Sequence, residues 1–149
     1  MSTVEVVRTV DAPVERIWAV FTDLAGRPAV LSSVHDVEVL TEGEFGVGSA
    51  WREARQTADG TRVLEELRVV ECDPPRRCVV ALAGDGVDYR LTYTFVSRGR
   101  DRTTVTATVE GTPRDMRGRV LAAFLGGLAA RVVAGALRTD LDDLAGGAA

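Results

Sequence analysis

Val87-Asp88-Tyr89-Arg90-Leu91-Thr92-Tyr93-Thr94-Phe95-Val96-Ser97 sets the frame in which the rest of the chain is read. Val87, Tyr89, Leu91, Tyr93 and Phe95 hold one phase of a period-two alternation, and Asp88, Arg90, Thr92 and Thr94 hold the other. Alternation of this length, rich in aromatic and β-branched residues, describes a strand with one dry face and one wet face. A sheet solvated on one side is antiparallel. Working back toward the N-terminus, residues 77–83, 61–72 and 49–57 repeat the strand signal. Asp73-Pro74-Pro75-Arg76-Arg77 breaks it, because prolines cannot donate to a ladder, and so does the turn Ala58-Asp59-Gly60. Toward the C-terminus, a turn at 98–101 leads to a last strand at 102–111. A strand at 35–41 completes a meander of six.

After the meander comes a helix. From Thr112 and Pro113 an apolar band recurs at helical spacing from Met116 through Leu144. About 30 residues at about 1.5 Å per residue make a rod of roughly 45 Å, longer than a small domain is wide, so the helix must lie across the sheet. A single helix over 113–144 is expected, with 145–149 fraying. At the other end, residues 3–10 read as a strand. Asp11 is the expected N-cap, and Pro13 is placed in the first turn of a helix that carries Val14, Ile17, Trp18, Phe21 and Leu24. A second short helix is expected near 29–32. The fold class is α+β: a curved antiparallel sheet of six to seven strands around a long C-terminal helix, with two short helices after strand 1.

The chain has 149 residues, 46% of them apolar, which suits one domain over 1–149 with a core that needs neither disulfide nor metal. A net charge of −4 speaks against a nucleic-acid partner held through phosphate neutralisation. All 18 basic residues are arginine, so no lysine is present to form a Schiff base. His35 is the one histidine, too few nitrogen ligands for a zinc site; no metal or other cofactor is expected. The first nine residues lack the apolar run of a secretory leader, so a reducing cytoplasm is the expected location, with Cys72 and Cys78 as free thiols. Residues 120–137 approach the length of a membrane span. Arg131 and three glycines mark them instead as a buried helix, and no membrane span is expected.

The turn at Gly60 decides which polar side chains face the helix. A three-residue loop, Ala58-Asp59-Gly60, with glycine in the left-handed region pairs Arg55 with Val63, Glu53 with Glu65 and Trp51 with Leu67. Trp51, Glu53, Arg55, Glu65 and Leu67 then share the inner face. A two-residue Asp59-Gly60 turn would instead send Arg52 inward. The first register is preferred, because it brings the apolar residues of the second strand to the same side. Val80, Leu91, Tyr93, Val105, Phe124 and Leu128 are further candidates for the wall of a ligand cavity, with Tyr89 and Tyr93 presenting hydroxyls. His35 shares a phase with Val37 and Val39, which places it near the opening. Small residues expected at the contact (Ala81 and Ala107 on strands, Ala122, Gly126, Ala129 and Gly135 on the helix) either bring helix and sheet close together or leave room for such a cavity.

Three motifs carry a resemblance. They are Ala12-Pro13-Val14-Glu15-Arg16-Ile17-Trp18 followed by Asp23, Gly46-Val47-Gly48 leading into Trp51-Arg52-Glu53-Ala54-Arg55, and Glu71-Cys72-Asp73-Pro74-Pro75-Arg76-Arg77. With the closing Asp140-Leu141-Asp142-Asp143-Leu144, the sequence resembles the START-like polyketide cyclase/dehydrase (SRPBCC, birch-allergen-like) superfamily over nearly its whole length. Where many members carry tryptophan in the second short helix, this sequence has Val30-Leu31. The resemblance implies a helix-grip fold and a small hydrophobic partner molecule, polyketide- or lipid-like. In cyclase members an Arg or Tyr steadies an enolate and a carboxylate or His moves a proton; Arg55, Tyr89, Glu65 and His35 are the candidates for those roles here, though no residue pattern makes the chemistry compulsory. A non-catalytic carrier or sensor and a co-chaperone-like partner-binding module stand as alternatives, and monomer and homodimer are both open.

Overall fold

The computed structural model describes every residue except 1, 58 and 85; residues 2 and 117–130 are described as parts of their strand and helix, without their side chains. The elements follow the order β1 (Ser2–Val10), α1 (Val14–Thr22), α2 (Arg27–Val30), β2 (Val34–Val39), β3 (Ala50–Gln56), β4 (Arg62–Asp73), β5 (Arg77–Ala83), β6 (Val87–Ser97), β7 (Thr103–Pro113) and α3 (Met116–Ala148). The strands form one sheet in the order β1-β7-β6-β5-β4-β3-β2, antiparallel at every pairing. The two short helices carry the chain from one edge strand, β1, to the other, β2. The helix α3 crosses the inner face over β1 and β7 and packs against α1 and α2. Among the described residues, no helix is long and apolar enough to cross a membrane.

The turn chemistry works as its sequence predicts. Gly60 takes φ +87°, and Thr57 N–H donates to Thr61 O at 2.8 Å across the loop. Asp59 accepts from Thr57 Oγ1 and from Thr61 N–H. The resulting register pairs Arg55 with Val63, Glu53 with Glu65 and Trp51 with Leu67, so Arg55 faces α3. Arg52 stands on the outer face, where it bonds Glu66 at 3.0 Å and Glu38 at 3.4 Å. Its side chain is 40% exposed, and exposed pairs of this kind contribute little. Arg52→Ala is therefore expected to change stability by no more than about 0.5 kcal/mol, read as the urea midpoint. A larger loss would show that the outer face carries weight its solvation denies.

Four expectations need correction. Asp11 does not cap α1: Pro13 occupies the N-cap position, its carbonyl accepts from Arg16 and Ile17 N–H, and Asp11 pairs with Arg102 instead. Thr112 and Pro113 do not open α3. They end β7, paired with Asp88 and Val87, a place where a strand tolerates proline. The C-terminal tail does not fray: Ala148 is fully buried, and Gly147 lies so close to Val20 and Val30 that a Cβ there would come within 3.2 Å of both. Ala81 pairs with Arg68 and Arg90 and lies on the outer face, away from the helix. Ala107 is buried inside as expected.

The core gathers where α1 and the last turns of α3 meet the inner face. Ile17 and Phe21 from α1 and Leu137, Leu141 and Leu144 from α3 pack on Val6, Val10, Val105 and Phe95. Trp18, Phe21, Phe45, Tyr93 and Phe95 form a chain of ring contacts, the nearest pair, Phe21 and Tyr93, with centroids 4.8 Å apart. Cys72 and Cys78 face one another across β4 and β5 as free thiols, and burial pushes the Cys78 thiol up to about 12. Away from this packed end, Gly135 adds nothing to the helix–sheet contact; a Cβ there would meet nothing within 4 Å.

Candidate functional site

Between α3 and the inner face lies a cavity of about 270 Å³, near the lower end of the usual range for small-molecule sites. Its apolar wall includes Leu67 of β4, Leu82 of β5, Leu91 of β6, Val109 of β7, and Val133 and Leu137 of α3. Its polar end is built by Arg27, Glu53, Arg55, Glu65 and Asp140. Tyr89 and Tyr93 also line it.

The polar end starts with a conflict. The register that turns Arg55 inward also sets Glu53 directly opposite Glu65, and like charges across a non-local pair repel. Guanidinium groups from two directions resolve it. Arg27 of α2 reaches Glu53 with Nη2 3.2 Å from Oε1 and Nε 3.3 Å from Oε2, while its guanidinium lies 5.3 Å from the Trp51 ring centroid. Glu53 is 1% exposed, so this fork is what allows it to be charged inside the protein. Arg55 donates to both oxygens of Asp140, Nη1 to Oδ1 at 3.1 Å and Nη2 to Oδ2 at 3.0 Å, and to Ser33 Oγ at 2.8 Å. Glu53 and Glu65 each lie 3.8 Å from it. Burial alone would lower the Arg55 pKa; Asp140, Glu53 and Glu65 outweigh it, and the net shift is upward. Burial raises Glu65, Arg55 opposes that, and Glu53 and Asp140 reinforce it.

Tyr89 is held by glycine. The ring of Tyr89 sits between Gly84 and Gly111, where a Cβ would approach it to 2.6 and 3.3 Å. Burial, with Asp140 adding to it, pushes the Tyr93 hydroxyl well above its ordinary range, so Tyr93 stays a neutral hydrogen-bond donor.

A family profile described as polyketide cyclase/dehydrase and lipid transport matches residues 1–148. The chain belongs to this family. Among solved structures, the Zhui aromatase/cyclase from Streptomyces sp. R1128 is similar with a TM-score of 0.79 at 21% identity, over 99% of this chain and 93% of that one. A START superfamily protein from Mycobacterium smegmatis has a TM-score of 0.77 at 16% identity, over 97% and 94%. A truncated norcoclaurine synthase from Thalictrum flavum has a TM-score of 0.74 at 18% identity, over 97% and 91%. At these identities the likeness is one of fold. A search of curated proteins found no match.

Within this chain, the residues singled out from sequence divide clearly. Glu53, Arg55, Glu65, Leu67, Tyr89, Leu91 and Tyr93 line the cavity. Trp51, Val80 and Val105 do not; they are buried in the packed core, and the Trp51 indole N–H has no hydrogen-bond partner among the described residues. Phe124 and Leu128 fall outside the described side chains, as do Ala122, Gly126 and Ala129. His35 is the clear correction. The β2–β3 pairing runs from Val34–Arg55 to Asp36–Ala54, so His35 is the extra residue of a bulge, and strict alternation fails there. It is exposed and donates from Nε2 to Gln56 Oε1 at 2.7 Å.

Sequence reasoning missed Arg27 and Asp140 as members of the cluster. Asp140 had a readable signal. It sits three residues after Leu137 and four before Leu144, both buried, so it interrupts the inward stripe of α3 with a carboxylate. An acid on such a stripe needs a cation opposite. Arg27, before Pro28 in a four-residue helix, had none.

Proposed function

We propose that the cavity binds a small, largely apolar molecule, and that Glu65, Tyr89 and Tyr93 engage its oxygen-bearing end as in a polyketide cyclase or dehydratase. One observation carries this reading: an apolar wall and a polar end share one cavity, lined there by Glu65, Tyr89 and Tyr93, while the guanidiniums of Arg27 and Arg55 are each already held by a carboxylate of the protein. Arg55 is then a positioning residue. Its Nη atoms are committed to Asp140, and its Nε faces Glu65. The tyrosine hydroxyls hydrogen-bond the ligand carbonyl and the enolate that develops on it.

For a β-hydroxy carbonyl ligand, one oxygen of Glu65 takes the α proton as the protonated oxygen gives its proton to the β-hydroxyl; the C–H electron pair, passing through enolate character, becomes the carbon–carbon double bond as the C–O bond breaks, water leaves, and Glu65 ends protonated as it began. A raised pKa suits a carboxyl group that must both give and take a proton.

Nile red, an uncharged apolar dye, is expected to bind saturably at about one per chain with an affinity that moderate salt leaves unchanged. Leu91→Trp, which fills the cavity, is expected to abolish that binding while keeping a cooperative thermal transition. A folded protein that binds no dye, or a Leu91→Trp variant that binds it equally well, would end this reading.

A further inference from the structure

Two guanidinium groups and three carboxylates meet at the polar end of the cavity. Their pairing is unequal. Glu53 takes Arg27 in a fork and is 1% exposed. Asp140 takes both Nη atoms of Arg55 and accepts from Ser33 Oγ at 3.3 Å. Glu65 is left over. Its nearest cationic atom, Arg55 Nε, lies 3.8 Å away, beyond hydrogen-bonding distance, and among the described residues nothing donates to its carboxyl. It stands beside Leu67, Leu82 and Leu91, with its side chain 27% exposed. An ionised Glu65 would give the cluster a net negative charge, with no protein donor to replace the water that partial burial takes from it.

We infer that Glu65 carries a proton in the empty cavity and serves as a hydrogen-bond donor to an uncharged ligand that presents an acceptor oxygen, and that the site disfavours carboxylates. The inference rests on the cavity being a ligand site. Every group around Glu65 contributes to it. From β3, Glu53 and Arg55 face it; from α2, Arg27; from α3, Asp140; from β6, Tyr89 and Tyr93. Burial pushes its carboxyl up and Arg55 resists, with Glu53 and Asp140 on the side of burial. A ligand carboxylate entering here meets no free cation, because both guanidiniums already hold carboxylates of the protein. It would surrender its own hydration for nothing. A carbonyl oxygen surrenders less, and it gains the Glu65 hydroxyl.

Methyl 2-naphthoate and 2-naphthoate share one skeleton and differ by one charge. Competition of each against Nile red on the full chain tests the inference. At neutral pH the ester is expected to displace dye at a concentration about tenfold or more below that of the acid. As pH is raised across the range in which the protein stays folded, the ester is expected to weaken by about tenfold, as Glu65 loses the proton it donates. Tyr93 does not confuse this range, because burial holds its hydroxyl neutral throughout. Glu65→Gln keeps a donor that does not titrate; it is expected to hold the ester within about threefold of the low-pH affinity and to show no pH dependence. Glu65→Leu removes the donor without replacing it; it is expected to weaken the ester at every pH, below the affinity that Glu65→Gln keeps. Tighter binding of the acid than of the ester, or a wild-type profile as flat as that of Glu65→Gln, overturns the inference while dye binding still upholds the cavity. A folded wild-type chain that binds none of these probes removes both.

Discussion

Arg55→Ala is expected to destabilise the fold by about 3 kcal/mol, because it leaves buried carboxylates without their counter-charge. Arg55 is 14% exposed, donates twice to Asp140 and once to Ser33, and lies 3.8 Å from both Glu53 and Glu65. It therefore ties β3 to α3 and to the α2–β2 corner in a single side chain. Arg55→Met keeps most of the volume and is expected to be milder, and its stability should respond to pH in a defined direction. Glu65 already titrates above the ordinary carboxylate range, with burial as the leading cause and Arg55 as the leading opponent. Without Arg55 the shift grows. The folded variant then binds protons more readily than its unfolded chain, so stability falls as pH rises through the raised pKa and recovers toward acid. Below the unfolded value, about 4.3 for Glu, this penalty is gone. Urea unfolding of wild type and variant across this range gives the difference directly. A gap between them that widens toward acid would mean that Arg55 does not favour the ionised form of the carboxylates beside it.

Glu53→Ala is expected to cost about 3–5 kcal/mol, in the range for breaking a buried pair by removing one partner. Glu53 is fully enclosed, and Arg27, 11% exposed, spends its fork on it while lying over Trp51. The alanine variant leaves that guanidinium facing Arg55 with one carboxylate fewer between them. An arginine has no neutral form to fall back on, whereas an acid can take up a proton. The loss should therefore exceed that of Arg55→Met. Pairing the change with removal of the cation is the decisive control: Arg27→Met with Glu53→Leu is expected to recover a large part of the loss, because an apolar pair of similar volume leaves no charge unmatched. If Glu53→Ala alone costs less than about 1 kcal/mol, water reaches the cluster and its burial has no energetic consequence.

The two largest effects thus fall on residues whose inward placement a turn decides. Gly60 supplies the positive φ that a three-residue loop needs, the loop sets the register, and alternation does the rest along β3 and β4. The same local rules explain where alternation misled. His35 follows the phase of Val37 and Val39 on paper, but one extra residue in β2 resets the phase and turns it to solvent. A bulge leaves no compositional mark in a strand this short. Trp51, Val80 and Val105 were placed on the correct face, yet a face has both a packed end and a hollow end.

What the sequence by itself determined is therefore everything that depends on near neighbours: strand phase, turn type, the antiparallel meander and a helix too long to do anything but cross it. These follow from steric and hydrogen-bonding preferences acting over a few residues. Only the tertiary structure decided which charges meet. Arg55 finds Asp140 at a separation of 85 residues, and Glu53 finds Arg27 at a separation of 26. No periodicity connects such positions. Their meeting depends on the rotation of α3 about its axis and on where along the sheet it comes to rest, and core packing sets both. Glu65, the carboxylate left without a guanidinium of its own, is a product of that final docking and of nothing local to its strand.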